Sequence, residues 1–137
     1  KSPGYITWQG YIHDYREKTD NSATLVTYFD TREHDFYWKK SIKRLIELLK
    51  PKGLMVVQLP IERPEHGSVN PDTPYGYILE GNEHLSWGEK GDAKRYYHPI
   101  TLEDIKEMKE YISEFPVKLI KEINKSDDKV VYLLYEK

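Results

Sequence analysis

Residues 23–29, Ala-Thr-Leu-Val-Thr-Tyr-Phe, form a β-branched and aromatic run entered from Asp20, Asn21 and Ser22 and stopped by Asp30. That is the pattern of a β-strand bounded by turn chemistry. From Asp35 the period changes. Trp38, Ile42, Leu45, Ile46 and Leu49 recur at the three-to-four spacing of one helical stripe. The pattern predicts a helix capped by Asp35 and ending at Lys50, where Pro51 cannot donate and Gly53 tolerates the turn. Residues 54–59 are nearly continuously apolar, as in a strand covered on both faces. Strand, helix, tight turn and strand make a βαβ unit, whose right-handed crossover pairs parallel strands.

Residues 60–99 break this rhythm. They hold five of the eight prolines and five of the eight glycines, with Tyr75, Tyr77, Trp87, Tyr96 and Tyr97 among polar residues, so they are expected to form a long loop insertion serving as a lid or binding loop. Thr101 and Asp104 then make a capping pair ahead of the stripe Leu102, Ile105, Met108 and Ile112, which predicts a second helix. After Pro116, two extended runs at residues 117–123 and 129–135 flank turn-forming residues 124–128, predicting a terminal hairpin.

Length and composition narrow the class. A chain of 137 residues, 38% hydrophobic and 32% charged, fits one globular domain but is short for a complete two-part nucleotide-binding fold. A net charge of -2 from 21 basic and 23 acidic residues provides no general field for phosphate backbones, so nucleic acid is disfavoured as a partner. With no cysteine there is no disulfide, thiolate nucleophile or zinc–thiolate site. No apolar run is long enough to span a bilayer and no signal segment opens the sequence, so the expected location is cytoplasmic, without membrane association.

The order of elements and several of the segments resemble the C-terminal half of a class I, Rossmann-like, S-adenosylmethionine-dependent methyltransferase. Residues 20–27, Asp-Asn-Ser-Ala-Thr-Leu-Val-Thr, resemble the turn into that family's fourth strand. Asp30-Thr31-Arg32-Glu33-His34 resembles the Leu-Glu-His segment that often follows, with Arg32 in place of Leu. Leu48-Leu49-Lys50-Pro51-Lys52-Gly53 is similar to the Leu-Lys-Pro-Gly-Gly turn into the fifth strand, and is the most specific of the matches. Residues 5–10 resemble the third strand, and Tyr11-Ile12-His13-Asp14 stands where the family touches adenine, although Tyr11 replaces the usual acidic residue.

The resemblance covers nearly the whole chain but about half of the family domain. It implies an α/β fold: one partial domain over residues 1–137, with a mostly parallel Rossmann-like sheet, a terminal antiparallel hairpin and no first strands. The glycine-rich turn and the acidic ribose residue of those strands have no place before Lys1. That N-terminal half either precedes Lys1 in a longer chain, is a separate polypeptide, or has been lost together with the cofactor.

Ligands of open parallel sheets bind beyond the carboxyl ends of the strands. The resemblance therefore implies S-adenosylmethionine contacts from Tyr11, Ile12, Phe29, Asp30 and Thr31. Methyl transfer needs alignment and sometimes removal of a proton, which makes Glu33 and His34 the candidate catalytic residues; the alternative is that they only surround a helix N-terminus. Tyr75, Tyr77, Trp87 and Tyr97 are candidates for stacking on an acceptor, or anchors for the loop. His66, His84 and His98 with Glu62, Glu65, Glu80 and Glu83 lack ligand spacing, so no metal is expected. Lys39, Lys40, Lys43 and Arg44 read by default as a solvated helix face. The expected activity is methyl transfer to a small-molecule or glycan-like acceptor; the alternative is a non-catalytic interaction module on the same fold.

Overall fold

The computed structural model describes residues 10–29, 31–61, 77–78, 96–97, 100–125 and 129–137. A short 3-10 turn, Ile12–Asp14, precedes strand β1 (Ala23–Phe29), and a second such turn, Arg32–His34, leads to helix α1 (Trp38–Leu48). Strand β2 (Leu49–Pro60), the short strands β3 (Tyr77–Ile78) and β4 (Tyr96–Tyr97), helix α2 (Leu102–Ile112), and strands β5 (Lys118–Lys125) and β6 (Val130–Glu136) follow.

The main sheet has the order β1-β2-β6-β5. β1 and β2 are parallel, while β6 runs antiparallel to both β2 and β5. Three of the four strands therefore share one direction, and the expected parallel unit and terminal hairpin are both present. β3 and β4 pair antiparallel within the expected loop region; Pro60 itself closes β2. The expected strand over residues 5–10 falls outside the described residues except for Gly10.

One sheet face carries the core. Val26 and Tyr28 of β1, Met55, Val57 and Leu59 of β2, and Val131, Leu133 and Tyr135 of β6 are buried with Ile42, Leu45 and Ile46 of α1 and Ile105, Met108 and Ile112 of α2. Both helices thus lie on the same side. The opposite face alternates with it: the register aligns Leu25 with Leu54, Thr27 with Val56 and Leu134, and Phe29 with Gln58 and Tyr132. Leu25 and Phe29 there are 56% and 48% exposed.

The predictions for α1 need three corrections. Asp35 is not the N-cap; Tyr37 is. Asp35 acts one step earlier, accepting from the Tyr37 backbone N–H at 2.9 Å and from the Tyr28 hydroxyl at 2.7 Å. Leu49, predicted as the last residue of the stripe, is buried but extended, because the helix stops at Leu48 and β2 begins at once. The predicted solvated face also loses Arg44, which is only 3% exposed. Its guanidinium donates to the Tyr15 carbonyl at 2.8 Å, the Asp20 carboxylate at 2.6 Å and the Lys18 carbonyl at 3.3 Å, tying the segment ahead of β1 to α1.

Thr101 and Asp104 form the expected capping box. Leu102, predicted on the core stripe, is 67% exposed. It is the first helical residue, a turn short of the sheet contact made by Ile105 and Met108.

The Lys50–Gly53 connector works differently from the sequence expectation. Lys52, not Gly53, takes the left-handed conformation, with φ of 68°. Glycine is required at 53 by proximity: a Cβ there would meet the Lys50 carbonyl oxygen at 2.8 Å and the Ala23 carbonyl oxygen at 2.9 Å. Lys137 clamps this corner. The Lys52 N–H donates to the Lys137 carbonyl at 2.8 Å, and the Lys137 N–H donates to the Gly53 carbonyl at 3.0 Å. The Lys137 ammonium meanwhile donates to the Ile46 and Leu49 carbonyls at 2.7 Å each, neutralising the carboxyl end of α1.

Candidate functional site

A parallel strand pair delivers its carboxyl ends to one edge. Here β1 ends at Phe29, and Thr31 leads into the Arg32–His34 turn, so the described candidates Phe29, Thr31, Glu33 and His34 lie along that edge. The Thr31 hydroxyl donates back to the Phe29 carbonyl at 2.6 Å, fixing the exit from the strand. Phe29 projects from the open face. Glu33 is buried at 6% exposure. His34 is placed by its backbone in the same turn; its side chain, and Asp30 as a whole, fall outside the described residues.

The N-terminal turn reaches the same end of α1. The Tyr11 ring stacks on His13 at 5.2 Å with an 18° interplanar angle and meets Tyr37 edge-on at 5.4 Å. His13 in turn contacts Tyr37 at 5.5 Å. Tyr11 thus belongs to an aromatic cluster beside the first turn of α1, while Ile12 packs against the hydrophobic core.

Of the four acceptor candidates, Tyr97 and Tyr77 pair by backbone in β4 and β3, and β4 runs beside the Arg32–His34 turn. That places the backbone of β4 beside the turn that carries Glu33 and His34. Tyr75 and Trp87 fall outside the described residues, as do the side chains of Tyr77 and Tyr97 and the acidic and histidine positions of residues 62–98. Among the described residues no three His, Cys, Asp or Glu side chains gather as a metal set, and no helix is long and apolar enough to cross a membrane.

Several residues at this edge escaped the sequence reading. Tyr28 is buried and hydrogen-bonded to Asp35; burial first, then the Asp35 charge, push its pKa well above the usual phenol value, so it remains a neutral donor across the physiological range. His13 is drawn into the Tyr11–Tyr37 cluster with a buried Nδ1, and no spacing rule singles it out among five histidines. Arg32 is 4% exposed and stacks its guanidinium 4.6 Å from the centroid of Trp38. Its signal was in the sequence: it stands where the resembled segment carries Leu.

No protein-family model matches the chain, and no curated protein matches it either. Solved structures do match. A SAM-dependent methyltransferase from Methanosarcina mazei aligns with 91% of this chain and 64% of its own, at 13% identity and a TM-score of 0.54. The 1,6-didemethyltoxoflavin-N1-methyltransferase of Burkholderia thailandensis, solved with 1,6-didemethyltoxoflavin and S-adenosylhomocysteine, aligns over 92% and 48% at 11% identity and a TM-score of 0.53. The [4+2]-cyclase SpnF aligns over 90% and 52% at 10% identity and a TM-score of 0.56.

The chain therefore spans about half to two thirds of the length of these three structures. Its architecture is Rossmann-like α/β. More narrowly, it has the class I methyltransferase-like fold over the part of that domain it spans. A cyclase among the matches illustrates that fold and reaction separate.

Proposed function

We propose that the chain forms the acceptor-side half of a class I methyltransferase, moving a methyl group from S-adenosylmethionine to a small-molecule or glycan-like acceptor. The observation that carries this reading is the convergence at the carboxyl edge of β1: Thr31, Glu33 and His34 follow the strand in one turn, with the backbone of β4 alongside.

The described residues fit one side of a cofactor site. Tyr11, within its aromatic cluster, is the ring assigned to the purine, and Phe29 and Thr31 lie at the strand end where such ligands bind, with Asp30 assigned to the same contact from the sequence. Ile12 backs the Tyr11 turn from the core. The glycine-rich turn and the acidic ribose residue belong to the family's preceding strands and are not among the described residues. When bound, the cofactor supplies an already activated methyl group. The work left to this chain is to align the acceptor and remove its proton. His34 and Glu33 fill that role. Tyr28 and Asp35 brace the turn from below, and Tyr75, Tyr77, Trp87 and Tyr97 stack on the acceptor.

Incubating the full-length protein with S-adenosylmethionine and a panel of phenol, amine and sugar acceptors, with mass-spectrometric detection of methylated product, tests this. His34→Ala is expected to lower turnover by about 10²-fold or more, as loss of a general base does. Cofactor binding with no product from any acceptor, and no effect of His34→Ala, would count for the second reading. That reading is a non-catalytic binding module on the same fold, favoured by the exposure of Leu25 and Phe29 on the open sheet face.

A further inference from the structure

We infer that Arg32 is an oxyanion-recognition residue, and that the acceptor carries a carboxylate or phosphate group which it binds. The inference deepens the methyl-acceptor reading and rests on it for the identity of the ligand. The anion site itself is argued independently.

Arg32 lies three residues beyond the end of β1, at the ligand-bearing edge of the parallel pair. Its side chain is 4% exposed, and its Nε and Nη1 are buried without a hydrogen-bond partner among the described residues. An arginine that only braced a turn would have its donors satisfied, as Arg44 does through Tyr15, Lys18 and Asp20. Arg32 instead has a ring at its face, with Trp38 4.6 Å away, and two buried, unpartnered donors at its edge.

That is the arrangement of a guanidinium held in plane by stacking and left to receive a planar or tetrahedral oxyanion. The Asp35 carboxylate is already engaged. Asp35 uses Oδ2 for the Tyr28 hydroxyl and Oδ1 for the Tyr37 N–H. Glu33 is the buried acidic neighbour of Arg32 in the same turn, so a ligand that binds through several hydrogen bonds is favoured over a loosely held one.

A buried cation with unfilled donors lowers stability, and Leu in its place would remove that cost.

The test is a titration of the 15N-labelled full-length protein, without S-adenosylmethionine, with sodium phosphate and separately with sodium acetate at constant ionic strength held with chloride. The Arg32 Nε–H and Trp38 indole resonances are followed. A saturable shift with phosphate assigns a phosphorylated acceptor, one with acetate a carboxylate acceptor. In Arg32→Lys, which keeps the charge but not the planar fork, affinity is expected to fall by about tenfold or more. In Arg32→Leu saturation is expected to vanish while the melting temperature holds or rises.

No saturable shift with either anion overturns the inference, as does unchanged affinity in Arg32→Leu. A drop in melting temperature in Arg32→Leu would make Arg32 a structural strut and overturn it as well. Because no cofactor is present, failure of the methyltransferase reading leaves these results unaffected.

Discussion

The Lys52–Gly53 corner is where the structure makes its sharpest energetic statement. In Gly53→Ala the added methyl would sit 2.8 Å from the Lys50 carbonyl oxygen, 2.9 Å from the Ala23 carbonyl oxygen and 2.9 Å from Leu49 Cδ2. Two of these are backbone atoms at the start of the β1–β2 ladder, so relief requires separating the strands. Overpacking of this kind costs about 2–3 kcal/mol. Lys52→Gly acts in the opposite direction. It removes about 1–2 kcal/mol of left-handed strain, offset by about 0.5–1 kcal/mol of added unfolded-state entropy, leaving a gain of about 0.5–1 kcal/mol.

Urea unfolding followed by circular dichroism reads both. With a slope of about 2 kcal/mol/M, Gly53→Ala should lower the midpoint by about 1–1.5 M and Lys52→Gly should raise it by about 0.3–0.5 M. A neutral Gly53→Ala, or a destabilised Lys52→Gly, would refute the assignment of close approach to residue 53 and left-handed strain to residue 52.

Further predictions concern buried polar groups. Arg44→Met removes the bonds to the Tyr15 and Lys18 carbonyls and is expected to cost about 2 kcal/mol in urea unfolding. The Arg44 hydrogen bond, against some desolvation, holds Asp20 below its ordinary pKa of 3.8. Its contribution is therefore present above pH 3.8 and lost as pH falls through the folded value, so wild type should lose stability in acid faster than Arg44→Met does. Burial first, and the Glu122 charge second, push the Tyr135 hydroxyl from 10.0 up to about 12. The folded state then holds that proton longer than the unfolded state; the contribution is complete below pH 10.0 and is lost as pH rises toward about 12, a decline that Tyr135→Phe should reduce. The Tyr135 hydroxyl has no hydrogen-bond partner among the described residues, so at neutral pH Tyr135→Phe should stabilise by about 0.5–1 kcal/mol.

Much of this fold was legible in local pattern. β1 spans the seven residues that β-branching and turn punctuation mark out, and the capping box at Thr101 forms as written. What escaped depends on partners distant in sequence. A helical wheel sends every Lys and Arg of α1 to solvent; Arg44 goes inward because Tyr15, Lys18 and Asp20, 24 to 29 residues upstream, supply its acceptors. Leu102 fits the helical period but lies beyond the sheet. The edge candidates Phe29, Thr31, Glu33 and His34 were legible because they are contiguous with a strand end. Tyr11 required the resemblance, since only the folded chain brings it against Tyr37.

The central claim is that this fold works with S-adenosylmethionine, and isothermal titration of the full-length protein with that compound tests it most directly. The account predicts saturable one-to-one binding, weakened when Tyr11 is replaced by Ala. No heat of binding to a folded, complete domain would contradict it.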